Sequence, residues 1–176
     1  MPDILIDRGA IAHRVAELAR EIRRDAGPDM SVHLVAVLKG AFIFLADLMR
    51  AFDGPITCDF MAVSSYGAGR TSSGRVKILK DLDQPLDGRY VVLVEDIVDS
   101  GLTLSHLQAL LLARAPQSLR TVALLDKRSR RRVAVSVDYV GFAIPDKFVV
   151  GYGLDDDERY RNLPHIAVLN QPATAH

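Results

Sequence analysis

The sequence predicts an α/β fold with a mostly parallel central sheet flanked by helices. Two nearly continuous apolar runs, Val32–Leu38 and Tyr90–Val94, are typical of strands that are buried on both faces. A segment of helical character follows each run, so strands and helices alternate along the chain. The 176 residues, 49% of them hydrophobic and 25% charged, suffice for a globular domain with its own core.

The first half of the chain predicts two helices around the first buried strand. Four apolar residues recur at spacings of four, three and four, which predicts an amphipathic helix over Arg8–Asp25: Ile11, Val15, Leu18 and Ile22. The pair Gly27-Pro28 ends this helix. After the strand, Lys39 and Gly40 lead into a second helical segment that runs to about Phe52.

Further segments complete the expected sheet. Thr57–Val63 is typical of a strand, and Val76–Leu79 is typical of a short return strand. Residues 66–74 between them are rich in Gly, Ser and Thr, which indicates either a lid that closes over a site or an ordinary hairpin loop. A helix and another strand are expected after Tyr90–Val94: Leu102–Arg114 and Leu119–Leu125.

We expect a single domain over residues 1–176, with a core from about residue 30 to 140. The terminal segments 1–29 and 141–176 flank this core, and we expect them to form a small hood lobe together.

Composition excludes several classes of protein. The 22 basic and 22 acidic residues cancel, which argues against a nonspecific nucleic-acid binder. Cys58 is the only cysteine, so neither an intramolecular disulfide nor a cysteine-rich zinc site is expected. The five histidines show no metal-binding spacing. No signal peptide and no apolar stretch of membrane-spanning length are visible, so we expect a cytoplasmic protein with no membrane partner.

The segment Val91–Leu104 carries the most specific pattern. Apolar strand residues run directly into Glu95 and Asp96, and an acidic pair at a strand end must face water, a metal or hydroxyl groups. The following turn, Asp99–Thr103, combines two hydroxyls, a glycine and a helix start, which is suited to a phosphate dianion. An isolated Asp-Ser-Gly turn would more often be a simple helix cap. The whole string favours the phosphate site instead, because motif and predicted structure agree.

This string resembles the phosphoribosyl-pyrophosphate (PRPP) motif of the type I phosphoribosyltransferases, and more narrowly that of the hypoxanthine(-guanine) phosphoribosyltransferases. Four other segments carry the likeness: Val37–Ala41, Ser64–Tyr66, Leu125–Arg128 and Phe142–Tyr152. The resemblance implies the type I phosphoribosyltransferase fold and a role in purine salvage. The implied reaction converts PRPP and hypoxanthine, or guanine, into IMP or GMP and pyrophosphate, with Mg²⁺ as cofactor.

The resemblance also implies roles for residues in the PRPP motif. Glu95 and Asp96 would bind the ribose hydroxyls, and Asp99 would be the general base toward the purine. The 5-phosphate would be held by the turn: Asp99, Ser100, Gly101, Leu102 and Thr103. Mg²⁺ would lie near three carboxylates: Glu95, Asp96 and Asp155.

Other implied roles belong to the pyrophosphate, the base and the lid. Lys39, Gly40 and Arg161 would contact pyrophosphate, and the family can have a cis peptide bond before the residue that matches Lys39. Four residues would bind the purine. Lys127 would contact its exocyclic oxygen, and Phe148 would stack on its ring. Val149 would contact its pyrimidine edge, and Asp155 would lie near its two-position. Ser65 and Tyr66 would belong to the flexible lid.

Two alternatives stay open at this point. The chain could be a regulatory module of the same fold that senses PRPP or nucleotide and binds nucleic acid, supported only by the basic run Arg128–Arg132. The base could also be orotate, adenine or xanthine, although Lys127 as a donor favours a 6-oxopurine over adenine. The basic run and the acidic run Asp155–Glu158 are otherwise typical of solvated loops, and only Asp155 is given a site role. The resemblance implies a homodimer or homotetramer.

Overall fold

The computed structural model describes residues 3–65 and 76–170. Within them, three helices and nine strands follow one another in this order: β1 (Asp3–Ile6), α1 (Arg8–Ala26), β2 (Val32–Leu38), α2 (Phe42–Ala51), β3 (Ile56–Ser65), β4 (Val76–Lys80), β5 (Tyr90–Val98), α3 (Leu102–Leu112), β6 (Ser118–Asp126), β7 (Tyr139–Ala143), β8 (Val149–Val150) and β9 (Ile166–Val168). A single 3₁₀ turn, Arg128–Arg130, lies between β6 and β7.

Six strands form the main sheet in the order β4-β3-β2-β5-β6-β7. The five strands from β3 to β7 in this order pair in parallel, and β4 pairs antiparallel with β3 at one edge. The predicted α/β class with a mostly parallel sheet is therefore confirmed.

Helices cover both faces of this sheet, as the apolar strands require. Side chains alternate between the faces along each strand. On one face, strand residues such as Leu34 and Val92 pack in one cluster with α1 and α2. On the other face, Val35 and Leu93 pack with the buried leucines of α3. Because both faces are buried, the central strands have almost no polar positions until their carboxyl ends.

A small antiparallel sheet joins the two ends of the described chain in the order β1-β9-β8. Asp3 of β1 and Val149 of β8 both pair with Val168 of β9. Of the segments expected to form the hood, this sheet contains β1, β8 and β9, whereas α1 packs against α2 and β7 of the main sheet. The domain boundaries stay a prediction.

The three strands of the small sheet were not predicted, and the main sheet differs from the prediction chiefly in two places. The strand predicted at Tyr90–Val94 continues to Val98, because its parallel pairing with β6 extends to Val98 and Asp126. The sequence pattern did not predict β7, a five-residue strand that pairs with β6 at the sheet edge. Most of the predicted lid, residues 66–74, lies outside the described residues, and Ser65 ends β3.

The strand order creates a switch point between β2 and β5. The connection from β2 leads through α2 to β3 on one side, and the connection from β5 leads through α3 to β6 on the other. Ligands of open α/β sheets bind beyond the carboxyl ends of the strands at such a point.

In the described part of the chain, no helix is both long and apolar enough to cross a membrane.

Candidate active site

The loop after β2 lies directly against the acidic end of β5. A Cβ atom built on Gly40 would stand 1.7 Å from Oδ2 of Asp96 and 2.7 Å from its Cγ. No residue with a side chain fits at position 40 unless the carboxylate moves. The preceding Leu38–Lys39 peptide bond is cis. This contact brings two segments together that the sequence analysis assigned to pyrophosphate and to ribose.

A C-terminal loop packs on the other side of Gly40. A Cβ atom on Gly153, whose φ is +99°, would stand 2.2 Å from the Gly40 carbonyl oxygen. Arg161 is tied to the same glycine, since its Nη1 donates to the Gly153 carbonyl at 2.8 Å and its own carbonyl accepts from the Gly153 amide at 3.0 Å. Arg161 and Asp155 thereby come close enough to Asp96 to influence its ionisation.

Within residues 3–65 and 76–170, neither acid of the pair at the end of β5 forms an ion pair. Burial raises the pKa of Glu95 well above its usual value, and the charge of Asp96 raises it further. Burial also raises the pKa of Asp96, to about 6, although the Ile97 amide donates to its Oδ1 at 2.7 Å and the positive charge of Arg161 acts in the opposite direction. Two carboxylates in this condition favour a ligand that supplies a cation or hydroxyl donors.

The turn after β5 begins helix α3. Gly101 is the N-cap residue of α3. Its φ of +84° and ψ of −4° correspond to the left-handed conformation, which glycine adopts most readily. The Leu102 amide donates to the Ser100 hydroxyl at 3.3 Å. A cavity of about 240 Å³ lies between this turn and the acidic pair, and these residues line it: Glu95, Asp96, Ile97, Val98, Asp99, Ser100, Gly101, Thr103 and Leu104. The free amides of a helix start suit an anion there.

Two arginines of the basic run after β6 donate hydrogen bonds to the backbone of this turn. Nη2 of Arg131 lies 2.5 Å from the carboxylate of Asp126, a residue only 2% exposed, and its Nη1 donates to the Asp99 carbonyl at 3.2 Å. The Arg132 amide donates to the Ser100 carbonyl at 2.9 Å. The interpretation of the whole run as a solvated loop is therefore wrong for Arg131. Nothing in the sequence distinguished it from its basic neighbours.

A second cavity, of about 1030 Å³, opens on the other side of Asp99. Asp99, Lys127 and Phe148 are among its lining residues. Lys127 is 7% exposed, with Nζ 3.8 Å from a carboxylate oxygen of Asp146, whereas Phe148 is 40% exposed and does not belong to the core. Nε of Arg130, another lining residue, lies 3.2 Å from Oδ1 of Asp99. Asp99 is thus common to both cavities.

Val149 and Ser65, two further predicted site residues, both lie within strands. Val149 is buried in β8, where it pairs with Val168, and the Phe148 carbonyl accepts from the Leu169 amide at 3.0 Å. Ser65 is the last residue of β3. Tyr66 lies outside the described residues.

Lys39 and Arg161, two residues predicted to bind pyrophosphate, both contact the carboxylate of Glu158, which the sequence analysis assigned to a solvated loop. Nζ of Lys39 lies 2.9 Å from Oε2 of Glu158, and Nη2 of Arg161 lies 3.3 Å from Oε1 of the same residue. The same Nη2 also lies 3.2 Å from Asp155. Within an acidic run, no sequence signal set Glu158 apart from its neighbours.

Comparison with known proteins identifies the family. Residues 3–157 match the phosphoribosyl transferase domain. The chain belongs to the phosphoribosyltransferase family. It is 50% identical over 166 residues to the hypoxanthine-guanine phosphoribosyltransferase of Aquifex aeolicus, an alignment that covers 94% of this chain and 93% of that one.

A further relative and a solved structure lead to the same family assignment. The hypoxanthine-guanine phosphoribosyltransferase of Mycobacterium avium is 53% identical over 172 residues, which cover 95% of this chain and 85% of that one. The crystal structure of a hypoxanthine-guanine phosphoribosyltransferase from Bacillus anthracis superposes with a TM-score of 0.92 at 46% identity, and the match covers 96% of this chain and 98% of that one. The expected type I phosphoribosyltransferase fold and the resemblance to the hypoxanthine(-guanine) enzymes are confirmed.

Proposed function

We propose that this phosphoribosyltransferase acts in purine salvage and transfers the phosphoribosyl group of PRPP to hypoxanthine and guanine. The observation that carries the proposal is the position of Asp99 between two cavities. One cavity has the acids and the helix start that suit a sugar phosphate, and the other has a buried amine and an exposed aromatic ring that suit a base. Asp99, which lines both cavities, would act where the two substrates meet.

The smaller cavity fits the ribose 5-phosphate part of PRPP. The amides and hydroxyls of the turn Ser100–Thr103 would hold the phosphate, and the α3 dipole favours its negative charge. Arg131 contributes indirectly, because its bond to the Asp99 carbonyl fixes the turn while Asp126 neutralises its charge. The ribose hydroxyls would donate to Glu95 and Asp96, which would supply hydrogen-bond donors to two acids whose charge is disfavoured by burial.

The donor set also fits Mg²⁺. Carboxylate oxygens are hard ligands, and burial raises the pKa of both Glu95 and Asp96, so a cation beside them would favour their ionised form. Among the described residues, no three or more His, Cys, Asp or Glu side chains cluster into a complete metal cage. Mg²⁺ is commonly held by one or two carboxylates together with substrate phosphates, so Glu95, Asp96 and Asp155 would suffice with PRPP. When bound, Mg²⁺ would neutralise charge on the pyrophosphate leaving group.

The reaction breaks the bond from ribose C1 to a pyrophosphate oxygen and forms a bond from C1 to a purine nitrogen. Asp99 would accept the proton that the purine nitrogen loses. Lys39 and Arg161 would stabilise the negative charge of the departing pyrophosphate. Holding both substrates in line converts a bimolecular encounter into a positioned one.

The larger cavity favours a 6-oxopurine. Lys127 is buried and its amine only donates, so it would bind an exocyclic oxygen and leave an exocyclic amine unmatched. Phe148 would stack on the ring, the backbone of Val149 would bind its pyrimidine edge, and Asp155 would lie near the two-position. The regulatory alternative gains no support, because Arg128 and Arg131 pair with Asp126 and Arg130 pairs with Asp99.

A spectrophotometric assay with PRPP, Mg²⁺ and one base at a time tests the proposal. We expect nucleotide and pyrophosphate to form with hypoxanthine and guanine, and little product with adenine or orotate. Turnover of adenine but not of hypoxanthine would contradict the assignment of Lys127, and no turnover with any base would contradict the enzyme. Sedimentation of the same sample tests whether the protein is a homodimer or homotetramer.

The variant Asp99→Asn tests the proposed base. Loss of a general base typically slows turnover by about 10²- to 10⁴-fold. We expect a loss of that size in kcat while PRPP affinity, measured by calorimetry, stays close to that of the parent protein. Asp87→Asn is the matched control, because this exposed acid precedes β5 at the opposite end of the strand. Full activity of Asp99→Asn would remove Asp99 as the base.

A further inference from the structure

The carboxylate of Glu158 holds two cations that have been assigned to pyrophosphate. Its Oε2 lies 2.9 Å from Nζ of Lys39, and its Oε1 lies 3.3 Å from Nη2 of Arg161. The bond from Lys39, and then that from Arg161, lowers the pKa of the Glu158 carboxyl. One ionised group with two oxygens thus bridges two cations, which is also what a phosphate group of pyrophosphate would do.

The backbone is bent to bring this carboxylate over the cations. Asp157 and Glu158 are consecutive residues with φ of 51° and 64°, a left-handed conformation that side chains disfavour. The Glu158 amide donates to the Asp155 carboxylate at 2.8 Å, and Asp156 and Arg159 form a two-way backbone bridge around the bend. Such conformations persist only where surrounding contacts hold them, and they cluster at functional sites.

We propose that Glu158 is a tethered substitute for pyrophosphate. Its carboxylate occupies Lys39 and Arg161 in the free enzyme, leaves when the diphosphate of PRPP binds, and returns as pyrophosphate departs. The proposal rests on the assignment of Lys39 and Arg161 in the proposed function. A tethered group competes at an effective concentration in the millimolar range, so it assists product release without a second molecule.

The exposure of the ion pairs suits reversible displacement. The side chains of Lys39 and Glu158 are 64% and 65% exposed, and exposed ion pairs contribute little free energy. A dianionic or more highly charged phosphate therefore displaces the single carboxylate readily. Between turnovers, Glu158 also reduces the repulsion between the two positive charges.

The variant Glu158→Gln tests this inference through calorimetry with magnesium pyrophosphate and with PRPP. We expect both ligands to bind at least about threefold more tightly than to the parent protein, and pyrophosphate to become a stronger product inhibitor. The difference should shrink at about 0.5 M salt, because exposed charges are screened. Glu158→Asp keeps the charge but shortens the reach, so it should also bind pyrophosphate more tightly than the parent.

Asp157→Asn is the matched control. It removes the same charge from the neighbouring residue, and Asp157 forms no ion pair within residues 3–65 and 76–170. We expect its pyrophosphate affinity to stay within about twofold of the parent value. An equal gain in this control would mean that general loop charge causes the effect, and this would overturn the inference.

The results separate the inference from the proposed function. If the parent protein forms nucleotide but Glu158→Gln binds pyrophosphate no more tightly, the inference fails and the proposed function stands. If the parent protein neither binds magnesium pyrophosphate nor forms nucleotide, both fail. Thermal melts of each variant show whether it is folded, and a folded Glu158→Gln with unchanged affinity is sufficient to reject the inference.

Discussion

Replacing Gly40 with alanine is expected to displace the Asp96 carboxylate while the fold stays intact. The added Cβ would stand 1.7 Å from Oδ2 and 2.7 Å from Cγ of Asp96, far inside contact distance. The carboxylate is the end of a side chain that can rotate, so it is the group that would move. An ordinary contact of about 3.4 Å requires Oδ2 to shift by roughly 1.7 Å.

A displacement of this size predicts a large loss of activity and a small loss of stability. Misplacing a substrate-binding group by about 1 Å can cost roughly 100-fold in rate. We therefore expect kcat/KM for PRPP to fall about 100-fold. Overpacking typically costs about 1–3 kcal/mol, so the protein should still fold at room temperature.

The assay is steady-state nucleotide formation with PRPP varied, combined with urea unfolding. The control places the same substitution in an Asp96→Ala background, where the clashing carboxylate is absent and only Cβ, 3.5 Å away, remains. In that background, Gly40→Ala should change kcat/KM by less than about threefold, because the two effects share one cause. Equal losses in both backgrounds, or an undisturbed parent rate in Gly40→Ala, would refute the steric reasoning.

Two further variants test the electrostatics of the site. The folded-state pKa of Glu95 is raised, so its protonated form stabilises the fold below the unfolded pKa and this benefit is lost as pH rises through the folded pKa. Glu95→Gln should therefore raise the melting temperature of the free protein by roughly 4–8 °C at pH 8 and change it little at pH 4. Equal shifts of the melting temperature at both pH values would exclude the ionisation of Glu95 as the cause. Arg131→Met leaves Asp126 buried without its main partner, and urea unfolding should show a loss of about 3 kcal/mol together with weaker PRPP binding, the lower end for a broken buried ion pair because Arg128 still contacts Asp126. The double variant Arg131→Met, Asp126→Asn should recover most of that stability, and no recovery would mean that Arg131 acts through packing instead.

Much of the fold was predictable because burial on both faces leaves an unambiguous pattern. Val32–Leu38 and Tyr90–Val94 are almost entirely apolar, as is typical of strands between two helical layers. The end of β5 was not predictable in this way, because Glu95 and Asp96 interrupt the apolar run although pairing with β6 continues to Val98. β7 is a short edge strand whose pairing depends on β6, a neighbour that local sequence does not specify.

The candidate site was predictable where one continuous segment of the sequence contains its residues. Glu95 and the turn through Thr103 lie together in the sequence, so their acids, glycine and hydroxyls can be interpreted as a unit. Glu158 and Arg131 were not predictable, because each lies within a run of like charges and each has one partner that is distant in the sequence, Lys39 and Asp99 respectively. Only the three-dimensional arrangement separates a bridging or anchoring charge from a solvated one.

A crystal structure of the protein with PRPP and Mg²⁺ would show whether the acidic end of β5 and the turn that follows it bind the sugar phosphate. We expect the 5-phosphate on the turn Ser100–Thr103, the ribose hydroxyls on Glu95 and Asp96, and the diphosphate between Lys39 and Arg161. PRPP bound elsewhere, with this turn and both acids free of it at saturating concentration, would contradict the account.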